Sequence, residues 1–216
     1  MSHGTVRNYS SELRTEQAAE TRRRVLLAAG ELFATRGYHG TSRGEIAKAA
    51  RVSVDTVQAT GAKRDLLLHA FELAAAGAEV SDPLQAGGPE VDAVLQAASA
   101  DALLEAVARW TAGAHARAGR LLAAMKDAAM SDPDVAGMYG PLIQRHRRDV
   151  DTLVGLYERL SEPVQAGRRT RLIDELIYFS APDGYQYLVG DCGWSADDYE
   201  RWLVVRMRTA LAEAAG

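Results

Sequence analysis

Thr41–Gly61, TSRGEIAKAARVSVDTVQATG, reads as two short helices joined by a three-residue turn. Ser42 and Glu45 stand in the S-x-x-E spacing of a capping box: the hydroxyl accepts one orphan backbone N–H and the carboxylate reaches back for another. A helix therefore starts there, and Ile46, Ala47 and Ala50 follow at helical spacing. Arg51-Val52-Ser53 makes the turn. Ser53 can cap the second helix, and its early Asp55 suits the positive end of the dipole. The second helix is predicted to run to about Ala59 or Thr60. Such a pair lets the amino-terminal residues of its second helix enter a DNA major groove while the first helix crosses the backbone.

The flanking sequence extends the pattern. Before it stands TRRRVLLAAGELFATRGYHG, residues 21–40, in which Val25, Leu26, Ala29, Leu32 and Phe33 form one apolar helix face and Gly37 is a suitable left-handed stop. After it stands KRDLLLHAF, residues 63–71. Together, from about Glu16 to about Phe71, these segments resemble the DNA-binding domain of TetR-family transcriptional regulators. The resemblance implies an all-α protein: a polar leader (1–15), a three-helix DNA-binding domain with a helix-turn-helix (16–62), a connecting helix (63–80), and a larger helical domain (81–216) for effector binding and dimerisation.

Carried over position by position, the resemblance makes Thr41, Arg43, Ser53, Val54, Thr56, Gln58, Ala59, Thr60, Lys63 and Arg64 the DNA-contacting set. Thr56 matches a backbone-touching threonine, and Arg64 a phosphate-gripping lysine. The chain also departs from the family. Gln58 stands where a phosphate-bonding tyrosine is usual, Thr60 where histidine or tyrosine is common, Gly61 where a bulky apolar residue is usual, and Gly44 replaces a polar residue beside Arg43. The recognition helix has no Lys or Arg; Val54 and Ala59 suit thymine methyls, and Gln58 suits phosphate or an adenine edge. In the leader, Arg7 or Arg14 reads either as part of a frayed tail or as an arm for a neighbouring minor groove.

Charge is distributed accordingly. The chain of 216 residues has a formal net charge of −4, yet residues 1–70 carry 11 Lys plus Arg against 7 Asp plus Glu, and the remainder 14 against 22. A basic head on an acidic body favours one docking orientation on a duplex. With 47% hydrophobic and 25% charged residues, no apolar run approaches the roughly 20 residues that span a bilayer. No export signal is visible and Cys192 is the single cysteine, so a cytoplasmic location is expected.

Beyond residue 70 the chain reads as successive helices, with breaks at 81–89, 118–119, 131–133, 161–167, 180–182 and 190–195 and a bend at Gly140-Pro141. The tail, DGYQYLV (183–189) followed by GWS (193–195) and YERWL (199–203), resembles one branch of the same family. In that family the last long helices of two subunits form a four-helix bundle, which makes Ile173, Leu176, Ile177, Trp202, Leu203 and Met207 dimer candidates; the same stripes equally suit internal core. Candidates for a small effector are Trp110, His115, Met125, Tyr139, His146 and Tyr157. Their stripe on the long helix carries no Lys or Arg, which points to a mainly apolar, uncharged or weakly basic molecule. Arg109, Arg117 and Arg145 overturn this if they point inward.

The sequence lacks G-x-x-x-x-G-K-[ST], H-E-x-x-H, C-x-x-C and G-x-S-x-G, which leaves an enzyme without a signature. No metal or cofactor is expected. The reading is a homodimeric, ligand-responsive regulator, most simply a repressor, on a near-palindromic double-stranded operator. An interaction protein that kept the fold and altered its DNA role is the alternative, carried by Gln58, Thr60 and Gly61.

Overall fold

The computed structural model describes residues 5–77 and 87–216, with side chains from residue 14 onward. Helices follow one another as α1 (Thr5–Arg36), α2 (Arg43–Ala50), α3 (Val54–Thr60), α4 (Lys63–Ala76), α5 (Pro89–Leu95), α6 (Ala100–Ala129), α7 (Pro133–Leu160), α8 (Arg169–Phe179), α9 (Pro182–Tyr185) and α10 (Ala196–Ala215). The described residues contain no strand, so the all-α class is correct.

The predicted leader is a correction. Residues 5 to 29 contain neither glycine nor proline, and α1 runs through them unbroken from Thr5. Arg14 lies exposed on this helix, whereas the Arg7 side chain is outside the described residues, as is the break at 81–86. The helix stops at Gly37, where φ is +71° and the N–H donates to the Phe33 carbonyl at 3.0 Å.

Both caps of the helix-turn-helix form. Ser42 Oγ accepts the Glu45 N–H at 3.2 Å, and Glu45 Oε2 accepts the Ser42 N–H at 2.8 Å. The Ser42 N–H and the Ser42 hydroxyl, both donating to Glu45 Oε2 at 2.8 Å, with Arg36 against Glu45 at 2.7 Å, hold the Glu45 carboxyl below its ordinary pKa. The turn rests on a residue that the sequence did not flag. Arg51 adopts φ +56°, a left-handed conformation that costs a side-chain-bearing residue roughly 1 kcal/mol, and the Val52 N–H donates to Ala47 O at 3.0 Å. Ser53 then caps α3, its Oγ accepting the Thr56 N–H at 3.1 Å.

Val25, Leu26 and Phe33 of α1, Ile46 of α2, Val57 of α3 and Leu66 and Leu67 of α4 are wholly buried together. This core does not end with the head: Leu121, Met125 and Ala128 of α6 and Val135 and Leu142 of α7 belong to it. A second core gathers α5, α6, α7, α8 and α10 around Leu103, Ala108, Val154, Leu172, Tyr199 and Leu203.

The break predicted at Ala118-Gly119 is absent. One helix, α6, runs through it, so the two helices expected before the long helix are one. Gly119 faces the start of α9: a Cβ there would lie 3.4 Å from Gln186 Nε2 and 3.8 Å from Pro182 Cβ, ordinary contact distances. Pro141 does sit within α7, where it withdraws the N–H that would reach the Gly137 carbonyl. After α9 the chain winds as a π-helical turn, Gln186–Asp191, closed by Cys192 N–H to Tyr187 O at 2.9 Å. Ser99, Asp132 and Ser195 cap α6, α7 and α10.

Candidate nucleic-acid interface and buried cavity

The head presents a polar face built on α3. Ser53, Val54, Asp55, Gln58 and Ala59 are exposed along it, and Val54 leaves 46% of its surface uncovered for want of any core to enter. Thr56 is half-buried, its hydroxyl 2.9 Å from that of Ser53. The far end of α3 is held by α1: Arg22 Nη1 donates to Thr60 O at 2.8 Å, and the Thr60 hydroxyl donates to Thr56 O at 2.9 Å. Thr60 is thus engaged inside the head. Gly61, at φ +154°, takes a backbone that disfavours side chains, and a Cβ there would press on Asp65 Cβ at 3.3 Å; this accounts for glycine at a place where the family has a bulky residue.

Thr41 is a correction. It is buried, and its hydroxyl donates to Gly37 O at 2.9 Å, so it closes the turn after α1 and faces no ligand. Arg43, Lys63 and Arg64 lie together at the junction of α2 and α4. Lys63 Nζ sits 4.3 Å from the Tyr38 ring centroid, and burial, followed by the Arg43 charge, lowers its pKa. Arg43 Nε is buried without a hydrogen-bond partner among the described residues. Arg64 reaches Asp134, at the start of α7, at 2.6 Å. Two more links tie head to body at this corner: His39 Nε2 meets Ser131 Oγ at 3.0 Å, and the charge of Asp132, after burial, raises the Tyr38 pKa.

In the body, α4, α6, α7, α8 and α10 enclose a cavity of about 380 Å³, within the usual size range of small-molecule sites. Trp110, His115, Tyr139, His146 and Tyr157, five of the six expected effector residues, line it. Met125 does not; it is wholly buried in the core shared with the head, because α6 turns that face toward α1 and α4. His146 keeps much of its surface uncovered yet sits deep enough that desolvation lowers its pKa, aided by the Arg145 charge. Burial, and secondarily His146, holds His115 down to about 4. The His115 ring packs edge-on against Tyr185, with centroids 5.9 Å apart, and its Nδ1 has no hydrogen-bond partner among the described residues.

Sequence reading missed the cavity's ionic corner. Glu72 of α4 is only 6% exposed, with His69 Nδ1 3.1 Å from Oε2 and Arg145 Nη1 3.6 Å from Oε1. Its signal was available: a lone carboxylate on the apolar face of Leu66, Leu67, Ala70 and Leu73. Arg145 does point inward, and it meets this carboxylate there.

The dimer candidates also change place. Ile173, Leu176, Leu203 and Met207 are buried within their own chain, and Leu176, Ile177 and Met207 line the cavity. Trp202 is partly covered by Phe179 and Tyr199. These stripes face inward because α8 and α10 pack on each other and on α6 and α7. What stays outside on this side is Tyr178 (77% exposed), Tyr187, Val205 and Trp194. Among the described residues no group of three or more His, Cys, Asp or Glu could hold a metal, and no helix is long and apolar enough to cross a membrane.

The head is thus a capped helix-turn-helix, and it stands on a helical body with a largely apolar cavity. Residues 25–59 match the bacterial regulatory proteins of the tetR family. No curated protein matches the chain in sequence. In fold it is similar to a transcriptional regulator from Rhodococcus sp. Rha1, with 14% identity and a TM-score of 0.64 over 90% of this chain and 98% of that one. It is also similar to the transcriptional regulator FadR from Bacillus subtilis in complex with stearoyl-CoA, with 15% identity and a TM-score of 0.65 over 90% and 97%.

Proposed function

We propose that the protein is a cytoplasmic homodimeric repressor that a small apolar molecule releases from a near-palindromic operator. One observation carries this reading. Helix α4 begins with Lys63 and Arg64 beside the DNA-facing helices and ends as a wall of the cavity at Phe71, Glu72, Ala75 and Ala76. A rigid helix of 14 residues, about 21 Å long, cannot move at one end alone. A ligand that fits the cavity better when α4 is tilted therefore moves the recognition helices, and its affinity difference between the two states sets the shift. A tenfold preference is about 1.4 kcal/mol per site.

The two-fold partner is proposed to meet the outer side of α8 and α10 through Tyr178, Tyr187 and Val205. Two recognition helices then stand in symmetric register, which calls for matching half-sites. FadR, in its complex, holds stearoyl-CoA, a ligand with a long apolar portion; an apolar body also suits the cavity here. A second reading has its own support. Arg64 is already paired with Asp134, Lys63 lies against Tyr38, and α3 has no Lys or Arg, which is what an interaction protein with altered DNA binding would show.

Polarisation titration against labelled DNA from upstream of the protein's own gene, with unrelated duplex as competitor, separates the two. A repressor binds that DNA through a hundredfold excess of competitor. Equal loss of signal to both duplexes favours the interaction protein.

A further inference from the structure

We propose that the cavity selects an uncharged, mainly apolar molecule that carries a hydrogen-bond acceptor, a carbonyl oxygen above all, and that the Nε2–H of His115 holds that acceptor. The proposal rests on the reading of the cavity as an effector site and names what that site selects.

His115 stands midway along α6 with its ring on the cavity wall. Ala114 and Ala118, its neighbours in that wall, carry no polar side-chain atom. The two ring nitrogens are placed differently. Nδ1 is covered by the protein and has no hydrogen-bond partner among the described residues. Nε2 has no partner among them either, yet it is not covered, so it opens into the cavity that the ring lines.

A neutral imidazole has one N–H and one bare nitrogen. Buried N–H groups are very rarely left without an acceptor, so the proton belongs on Nε2 and the bare nitrogen is the covered Nδ1. His115 therefore turns a donor toward the cavity, and its acceptor comes from whatever the cavity holds.

Charge narrows the class of ligand. Burial, and secondarily His146, lower the His115 pKa to about 4, so the ring gives a hydrogen bond without a positive charge. The two cations that line the cavity already face carboxylates: Arg145 stands 3.6 Å from Glu72, and Lys126 closes on Asp183 at 2.6 Å at the exposed rim. A carboxylate or phosphate head would have to break one of these pairs. An ammonium head has donors and no acceptor, so it cannot answer the His115 N–H. The remaining wall, Val107, Trp110, Leu153 and Tyr157 among it, is apolar or aromatic and suits a ring-bearing body.

The test uses the full-length protein and four probes on one apolar body: 2-acetylnaphthalene, its alkene isostere 2-isopropenylnaphthalene, 2-naphthoate and 2-naphthylmethylamine. Binding is read by equilibrium dialysis and DNA release by polarisation. The ketone is expected to bind about three- to tenfold more tightly than the alkene, the range of one neutral hydrogen bond, and more tightly than either ion. His115→Phe should remove the preference for ketone over alkene while leaving alkene affinity within twofold, which also shows that the cavity still forms. His115→Gln, which returns an N–H donor without the ring, should keep the ketone ahead. Equal binding of ketone and alkene by the unaltered protein, a preference that survives His115→Phe or is lost in His115→Gln, tightest binding by the naphthoate or the amine, or no binding by any probe would overturn the proposal. Failure of the underlying reading looks different: ketone preference intact and His115-dependent, which upholds the site, with DNA affinity unmoved.

Discussion

Acid should weaken this protein in large part through the His115 imidazole. His115 has an ordinary pKa of 6.5 when the chain is unfolded, and burial brings it to about 4 in the folded state. The unfolded chain therefore takes up the proton first, so the stability tied to the neutral ring is intact above pH 6.5 and is lost as pH falls toward 4. A shift of about 2.5 units corresponds to about 3 kcal/mol in full. Between pH 7 and pH 5 the two titration curves separate by about 2 kcal/mol, roughly 4–8 °C in Tm for a chain of this size. His115→Phe removes the proton site and keeps an aromatic ring for the edge-on contact with Tyr185. Urea unfolding of both proteins at pH 7 and pH 5 makes the comparison. Carboxylates act alike in the two proteins and cancel, and His146, whose charge is coupled to that of His115, is removed from the comparison by making both measurements in a His146→Gln background. The variant should lose about 2 kcal/mol less than the protein that keeps His115 over this interval. Parallel losses would refute the claim that burial keeps His115 neutral.

Three further outcomes follow from the geometry. Arg64→Ala should weaken DNA binding evenly across sequences and lower the salt slope by about 1 per contact, or 2 per dimer, while Asp134→Ala, by freeing Arg64 from an exposed pair worth up to about 1 kcal/mol, should raise affinity by up to about fivefold; both are read by polarisation at several salt concentrations. Thr41→Val should cost about 1–2 kcal/mol in urea unfolding, through the orphaned Gly37 carbonyl, with DNA affinity per folded molecule unchanged. Leu203→Ala should cost about 2–5 kcal/mol and leave the assembly state alone, whereas Tyr178→Arg should shift sedimentation toward monomer with little change in stability.

The head was legible because its signals are local. A capping box, a serine cap and a glycine stop act within a few residues, and Ser42, Ser53 and Gly37 behave as their spacing requires. What escaped depends on contacts distant in sequence. Thr41 has the chemistry of a DNA contact, and only the path of the chain turns its hydroxyl onto Gly37. Gly119 reads as a break, yet α6 runs through it, and Arg51 carries no mark of the left-handed turn that it makes. Periodicity placed Leu203 and Met207 on one face of α10 without saying what that face meets; the cavity and core of the same chain took it. Glu72 needed Arg145, 73 positions later, before its burial made sense.

The central claim, that two copies of this chain read DNA through α3, is tested most directly by selecting binding sites from a random duplex pool with the full-length protein and sequencing them. The account predicts an enriched two-fold motif whose half-site centres lie about one helical turn, or a multiple of it, apart, and loss of that motif with Gln58→Ala and Arg43→Ala. Enrichment of a lone, asymmetric half-site, or of nothing above the starting pool, would contradict it.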